Sequence, residues 1–267
     1  MLPNRYFADL TQPEIAAQFK KHPLVILPTG SVEQHGPHLP TGTDTLAANV
    51  IGHAVAERMD GLVLPATPLG VTPMHMPFEG TITLTPDTYM RVVIETCAST
   101  AKHGAKYLML MNWHEGNIPS LAIAAETLHR THGMTVLTVQ ACYVAEELYG
   151  GSCNGLTHGG EIEALAVLAN RPELVHLDRI ENSSDHSHGH RMDKLRRTRS
   201  YQPVLTDIRS IAPTGWFGAP QHANAEKGQR MVGDIADAIA SEAAAIFRQL
   251  DLVQGGSAEL KQLRQVG

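Results

Sequence analysis

The chain has 267 residues, of which 43% are hydrophobic and 18% are charged, and its formal net charge is −6. This composition is typical of a folded globular protein and excludes an intrinsically disordered chain, while the negative charge argues against a nucleic-acid partner. Three cysteines are too few for a disulfide framework and fit a reducing compartment.

The first 20 residues contain Asp9 and Glu14 but no continuous apolar stretch. We therefore expect neither a signal peptide nor a membrane span, and we expect a cytoplasmic protein. A chain of this length can bury one large core, and neither a linker nor an internal repeat suggests a boundary. This predicts a single domain over residues 1–267. We expect its partner to be a small-molecule substrate.

Short apolar runs alternate with longer helical patterns along the chain. The runs predict strands at residues 24–28, 62–64, 107–111 and 135–139. Apolar residues at helical spacing predict helices at residues 44–59, 86–103, 119–130, 159–170 and 228–249. This alternation is typical of α/β proteins, in which helices cover a sheet. The polar segment 182–202, with His186, His188 and His190, is predicted to be an exposed excursion.

The densest group of polar residues follows the first predicted strand. Glu33, His35, His38 and Asp44 lie in the run 30–44, which Gly and Pro residues punctuate. If the chain is still extended there, Glu33 and His35 point to one face. Imidazole nitrogen and carboxylate oxygen together suit zinc, manganese or iron better than calcium, so this run is interpreted as a metal-binding loop. Within this run, His38 is expected to be a loop or supporting residue rather than a ligand. For Asp44, the plainer alternative is an N-cap role.

A second polar cluster, residues 112–117, follows the third predicted strand and contains His114 and Glu115. Because it lies at the carboxyl end of a strand, it shares the predicted edge of the sheet with Glu33 and His35. A hydrogen-bonded core histidine is the alternative interpretation of His114.

A third cluster, residues 158–163, opens the fourth predicted helix and contains His158, Glu161 and Glu163. The two glutamates lie on opposite flanks of the apolar face of that helix, so spacing alone does not choose between them as ligands. His158 is a candidate catalytic residue, and a helix-start histidine without a catalytic role is the alternative. Cys153 lies nearby, but no nucleophile motif surrounds it.

Five stretches of the chain together resemble the creatininase (creatinine amidohydrolase) family. They are residues 28–40 (PTGSVEQHGPHLP) with 42–44 (GTD), 80–84 (GTITL), 112–117 (NWHEGN), 158–163 (HGGEIE), and 215–220 (GWFGAP) with 225–228 (AEKG). The resemblance implies a three-layer α/β/α sandwich with a mostly parallel sheet. It also implies two divalent metal ions per subunit, zinc, manganese or both with iron as a further candidate, and a homohexamer.

Position by position, the resemblance implies that Glu33, Asp44 and His114 hold one ion. His35 and the bridging Asp44 would hold the other. The two ions would share a water and lower its pKa, so that a metal-activated hydroxide attacks the substrate carbonyl. His158 would then stabilise the oxyanion or pass a proton to the leaving atom.

The remaining ligand of the second ion is where the chain departs from creatininase itself. Creatininase has a glutamate at the position of Gly116. The family's other recurring carboxylate, five residues beyond the histidine that matches His158, falls on Glu163. We therefore expect Glu163, rather than Glu115 or Glu161, to complete the second ion's ligands.

The residues with which creatininase would grip creatinine are not recognisable in this chain. An aromatic residue is replaced by Glu115, and a Trp-Asp pair is replaced by Asn154 and Gly155. We therefore expect hydrolysis of a cyclic or other non-peptide amide. The alternatives are hydrolysis of a formamide, a peptide bond, a lactone or a cyclic ketone with the same metals, and a metal-binding protein without catalysis.

Two kinds of supporting residue are also expected. Backbone groups, or loop residues such as Asn112 and Asn117, are candidates to support the histidine ligands. Three aromatic residues are candidates for the pocket lining, with a core or interface role as the alternative: Trp113, Trp216 and Phe217.

Overall fold

The computed structural model describes the backbone of residues 4–180, 191 and 204–263, and the side chains of these residues as far as residue 251. The predicted excursion with His186, His188 and His190 lies outside the described residues. None of the described helices is both long enough and apolar enough to cross a membrane.

Within the described residues, four parallel strands form one sheet in the order β2-β1-β3-β4. They are β1 (Leu24–Thr29), β2 (Leu62–Val63), β3 (Tyr107–Asn112) and β4 (Thr135–Gln140). All four predicted strands are present, within one residue at either end. β1 and β3 pair along their whole length, so their carboxyl ends lie side by side. The polar residues that follow these two strands therefore share an edge of the sheet.

The described α-helices are α1 (Gln12–Lys21), α2 (Thr43–Met59), α3 (Pro86–Lys102), α4 (Ile118–His132), α5 (Ala141–Tyr149), α6 (Glu161–Leu168) and α7 (Ala225–Leu263). Five of them, α2, α3, α4, α6 and α7, correspond to predicted helices. α6 is shorter than predicted because Gly159 and Gly160 lie in the turn before it. α7 is longer than predicted at both ends.

Sequence patterning does not predict α1 and α5. α1 begins with a capping box, in which the Glu14 carboxylate accepts a hydrogen bond of 2.8 Å from the Thr11 N–H. This Thr-x-x-Glu spacing is the signal that could identify the helix. α5 begins at the residue after β4, so no turn signal separates its apolar residues from the strand.

Alternate side chains of the central strands face opposite helical layers. Ile26 and Met109 pack in a core with residues of α2, α6 and α7. Val25 and Leu108 pack in a second core with residues of α1, α3 and α4. Both faces of the sheet are buried, which explains why its strands are almost continuously apolar. The predicted three-layer α/β/α sandwich is confirmed.

A third apolar cluster is separate from these two cores. It joins the segment 74–78 to the segment 205–217, which comes late in the chain. Its members are Ile208, Ile211, Ala212 and Phe217, against which Met74, Phe78 and Leu205 pack.

Candidate metal centre

The loop after β1 is pressed against the start of α2. A Cβ added at Gly30 would lie 2.4 Å from the backbone nitrogen of Thr45, so only glycine fits at this crossing. The N-cap of α2 is Gly42, and Asp44 occupies the first turn with its side chain buried. The interpretation of Asp44 as an N-cap is therefore wrong. Ser31 Oγ donates a hydrogen bond of 2.6 Å to Asp44 Oδ2 and orients the carboxylate.

Glu33, Asp44 and His114 form one group of buried candidate ligands. Nδ1 of His114 lies 3.3 Å from Glu33 Oε2 and 3.1 Å from Asp44 Oδ2. Nε2 of His114 lies 3.1 Å from Val71 O, and it donates there because a carbonyl oxygen only accepts. The unprotonated nitrogen of neutral His114 is therefore Nδ1, which faces both carboxylates.

His35, Asp44 and Glu163 form a second group. Nδ1 of His35 donates to the Glu33 carbonyl oxygen at 3.0 Å, which leaves Nε2 as the nitrogen that faces the carboxylates. This Nε2 lies 3.3 Å from Asp44 Oδ1 and 3.6 Å from Glu163 Oε2. It is buried and has no hydrogen-bond partner among the described residues. The Gly159 N–H donates to Glu163 Oε2 at 2.6 Å and fixes that carboxylate.

The two groups fit divalent metal ions. In each of these two groups the candidate ligand atoms lie within 4.8 Å of one another, and Asp44 belongs to both. Glu33, His35 and His158 form a third group with the same spacing. The donor set of imidazole nitrogen and carboxylate oxygen suits zinc, manganese and iron. The buried Nε2 of His35 lacks a hydrogen bond within the described residues, as is expected of a nitrogen that coordinates a metal ion. The structure thus brings all five predicted ligands together, and their role as ligands stays a prediction.

The electrostatics of the cluster favour cations. Burial alone would lower the pKa of His35, but the carboxylates of Glu163 and Asp44 raise it to about 10. Burial also opposes the charge of His114, yet Glu33 and Asp44 raise its pKa to about 9. Burial raises the pKa of Asp44, but the two imidazoles hold it well below its usual range. Burial raises the pKa of Glu163 to about 8. The buried carboxylates and imidazoles therefore compete for protons, which a bound cation would displace.

Neither of the other two candidate glutamates is placed as a ligand. Glu161 Oε1 lies 2.6 Å from Lys227 Nζ, so this buried carboxylate forms an ion pair with the last helix. Glu115 lines the cavity beside the centre. No side chain fits at Gly116, because a Cβ there would lie 2.2 Å from Val71 O. A glutamate at that position, which the resemblance implies for creatininase itself, would require a different loop.

His158 lies beside the first group with one nitrogen facing it. Its Nε2 lies 2.7 Å from the Gln34 carbonyl oxygen and donates to it. Its Nδ1 therefore carries the lone pair and lies 3.8 Å from Glu33 Oε1. Burial, together with the neighbouring His35 and His75, holds the pKa of His158 well below its usual range. His158 is thus a neutral imidazole with an accepting nitrogen at the edge of the centre.

Two residues of the centre, Thr72 and His75, are not found by sequence patterning. The Thr72 hydroxyl donates a short hydrogen bond to Glu33 Oε2. Nε2 of His75 lies 3.4 Å from Glu33 Oε1, and the ring centroids of His75 and His158 are 4.4 Å apart. Burial lowers the pKa of His75. Both residues come from the segment between β2 and α3, which has no polar cluster of its own to signal a site.

Asn112 and Asn117 support the loops of the centre and do not contact the histidine rings. Asn112 Nδ2 donates to the His114 carbonyl oxygen at 2.7 Å. Asn117 Oδ1 accepts from the Val71 N–H at 2.9 Å. The imidazoles are instead oriented by backbone carbonyl groups.

The position of His38 agrees with the supporting role predicted for it. It is fully buried, and its Nε2 donates to the Gly159 carbonyl oxygen at 2.7 Å. Its ring packs edge-on against Trp216 at 4.9 Å between centroids. His38 and Trp216 therefore hold the turn that carries His158.

A cavity of about 510 Å³ opens onto the centre. Trp113 and Phe217 line it, as predicted, whereas Trp216 lies behind the site against His38. The third apolar cluster forms one side of the cavity. The centre is therefore accessible to a small molecule.

The sequence of this chain is similar to a known family and to several of its relatives. The family model of creatinine amidohydrolase (Creatininase) matches residues 8–243. The mycofactocin precursor peptide peptidase of Mycobacterium ulcerans (strain Agy99) is 32% identical over 224 residues, which are 80% of this chain and 82% of the relative. The creatinine amidohydrolase of Pseudomonas putida is 29% identical over 265 residues, which are 89% of this chain and 96% of the relative.

The fold is shared with solved creatininase structures. A Zn–Zn form of a creatininase mutant and a manganese form of creatininase each match with a TM-score of 0.71 and 27% identity over 90% of this chain, and over 99% and 98% of their own chains. The family match covers all three clusters that build the centre. The chain therefore belongs to the creatininase family of hydrolases.

Proposed function

We propose that this protein is a hydrolase with two divalent metal ions, zinc or manganese, that cleaves an amide carbon–nitrogen bond. The observation that carries the proposal is the position of Asp44 between two groups of candidate ligands, which also contain all the other predicted ligands. An aspartate in that position can bridge two ions. The zinc and manganese forms of related creatininases support the choice of metals.

When bound, the ions would supply Lewis-acid chemistry, acidifying a water molecule and polarising the scissile carbonyl. The protein's part is to hold the carboxylates and to move a proton. Ser31 and Thr72 donate hydrogen bonds to Asp44 and Glu33 and fix their orientation. Nδ1 of neutral His158 accepts the proton of the attacking water and returns it to the leaving nitrogen.

The favoured substrate is a cyclic or other non-peptide amide. Peptide-bond hydrolysis is the second candidate, and the 32% identity to a peptidase favours it. Both candidates use the same ions and the same His158, and they differ in what lies on either side of the scissile bond. We propose that the protein is a homohexamer in the cytoplasm. Light scattering on the purified protein would measure the number of subunits.

The test is a reconstitution experiment. Metal-free protein would be loaded with zinc or manganese and incubated with creatinine, cyclic amides, formamides, blocked dipeptides and lactones, and water addition would be followed by mass spectrometry. We expect turnover of an amide only after metal loading, and none by Asp44→Asn treated in the same way. Cleavage of the blocked dipeptides alone would select the second candidate. Turnover by the metal-free protein, or by Asp44→Asn, would contradict the proposed chemistry.

A further inference from the structure

We propose that the substrate carries an uncharged apolar group beside the scissile bond, and that one side of the cavity binds this group. We call that side the apolar wall, and it consists of Met74, Leu205, Ile208, Ile211 and Phe217. The inference rests on the proposed function, because it concerns the substrate of the same centre.

The cavity is larger than a single small ring requires. The cavity of about 510 Å³ falls within the range of roughly 300–1,000 Å³ that is usual for sites binding drug-sized ligands. A single five-membered ring at the metal centre would leave most of this volume to water against apolar side chains. A substrate with an additional apolar group would remove that surface from water and gain binding free energy.

The described lining of the cavity offers no basic side chain to an anion outside the centre. None of the described residues that line the cavity is a lysine or an arginine. Apart from the carboxylates of the centre, the charged lining residue is Glu115. Away from the centre, an anionic group on the substrate would therefore meet mainly apolar side chains with a few polar ones, such as Tyr143 and Thr157. It would lose hydration there without a lysine or arginine partner in the described lining. An uncharged group loses little hydration there.

The apolar wall lies next to the candidate metal centre. Met74 is adjacent in the chain to His75, whose Nε2 lies 3.4 Å from Glu33 Oε1. At the other end of the wall, the Phe217 N–H donates to the His158 carbonyl oxygen at 2.9 Å. The apolar wall is thus attached to the centre on both sides. A group bonded to the scissile amide can reach the wall while the carbonyl lies at the centre.

The experiment measures binding by calorimetry on the zinc-loaded protein with three hydroxamates. Acetohydroxamate carries only the metal-binding group, phenylacetohydroxamate adds an apolar group, and the monohydroxamate of succinic acid adds a carboxylate. We expect phenylacetohydroxamate to bind at least about tenfold more tightly than acetohydroxamate, from burial of the phenyl ring. The succinic probe should bind no more tightly than acetohydroxamate.

Two arginine variants on the same segment connect this preference to the wall. Met74→Arg places a cation in the wall, so it should abolish most of the phenyl preference and improve binding of the succinic probe. Met76→Arg is the matched control, because Met76 is 51% exposed and does not line the cavity. It should leave all three affinities unchanged. Met74→Ser, which adds no charge, should reduce the phenyl preference and serves if Met74→Arg does not fold.

The outcomes separate the two proposals. Binding of acetohydroxamate without a phenyl preference, or equal effects of Met74→Arg and Met76→Arg, would overturn the apolar wall while leaving the proposed metal centre intact. Failure of acetohydroxamate to bind zinc-loaded protein would overturn the proposed function, and this inference with it.

Discussion

Glu161 and Glu163 lie two residues apart on α6 and have different partners. Glu163 Oε2 is 3.6 Å from His35 Nε2, at the centre. Glu161 Oε1 is 2.6 Å from Lys227 Nζ, in an ion pair with α7. Both carboxylates are buried, so each needs a partner that offsets the cost of its burial. The pair provides a built-in comparison between a candidate ligand and a structural carboxylate.

The first prediction uses this comparison. Glu163→Gln should lower the metal content from two ions per subunit to about one, because it removes a ligand from one group only. Glu161→Gln should keep two ions and lose stability instead, since it leaves Lys227 without its buried partner. Elemental analysis of the dialysed proteins, with urea unfolding in parallel, measures both effects. Loss of metal from Glu161→Gln at full stability would show that the assignment is reversed.

Asp44→Ala should lose both ions and nearly all activity, because Asp44 belongs to both groups of candidate ligands. Elemental analysis and turnover of whichever amide the substrate panel identifies provide the measurement. An Asp44→Ala protein that retains one tightly bound ion would rule out a bridging role.

His158→Ala should keep its metal ions and lose turnover by about 10²–10⁴-fold, the usual contribution of a general acid or base. Its Nδ1 faces Glu33 at 3.8 Å, close enough to act on a reacting group beside the centre. Metal content and kcat of the same preparation are the two measurements. A His158→Ala protein without metal would instead identify His158 as a ligand.

Thr72→Val should weaken metal binding by about 10–100-fold, because it removes the hydroxyl that orients Glu33. Thr72→Ser keeps the hydroxyl and serves as the matched control. Competition with a chelator measures the affinity of both variants. Equal affinities of the two variants would show that the hydroxyl has no part in placing Glu33.

Asp60 makes the stability of the protein depend on acid pH. Burial would raise the pKa of Asp60, but Lys21 and Arg5 lower it to about 2. Arg5 Nη1 lies 2.6 Å from Asp60 Oδ1. Because the folded-state pKa lies below the unfolded value of about 3.9, this contribution is fully present above pH 4 and disappears as the pH falls toward 2.

Asp60→Asn should therefore cost about 1 kcal/mol at pH 7, after allowance for screening of a partly exposed ion pair. The difference from the unmodified protein should shrink between pH 4 and pH 2. Urea unfolding of both proteins at several pH values, in the presence of a chelator, measures it. A difference that stays constant down to pH 2 would exclude Asp60 as the titrating group.

Local sequence determined much of the fold. The short apolar runs at 24–28 and 107–111 have the length and composition of strands buried on both faces, and the apolar periodicity after each of them indicated a covering helix. α1 and α5 are the exceptions. In these two helices the local signal is short, and packing against the sheet decides the conformation.

For the candidate centre, the sequence determined which residue types were present and at which edge of the sheet. The run 30–44 and the residues after β3 were polar in places where a parallel sheet brings strand ends together. The motif order identified the family. These conclusions depend only on residues that are near one another in the sequence and on contacts that strand pairing imposes.

Only the tertiary structure decided how side chains from distant segments meet. It separated Glu163 from Glu161, because the direction of α6 between the centre and α7 is set by packing and not by spacing along the helix. It also added Thr72 and His75, which approach Glu33 from a segment without any polar motif. Such long-range contacts arise from the packing of the whole core, so the local pattern of residues does not predict them.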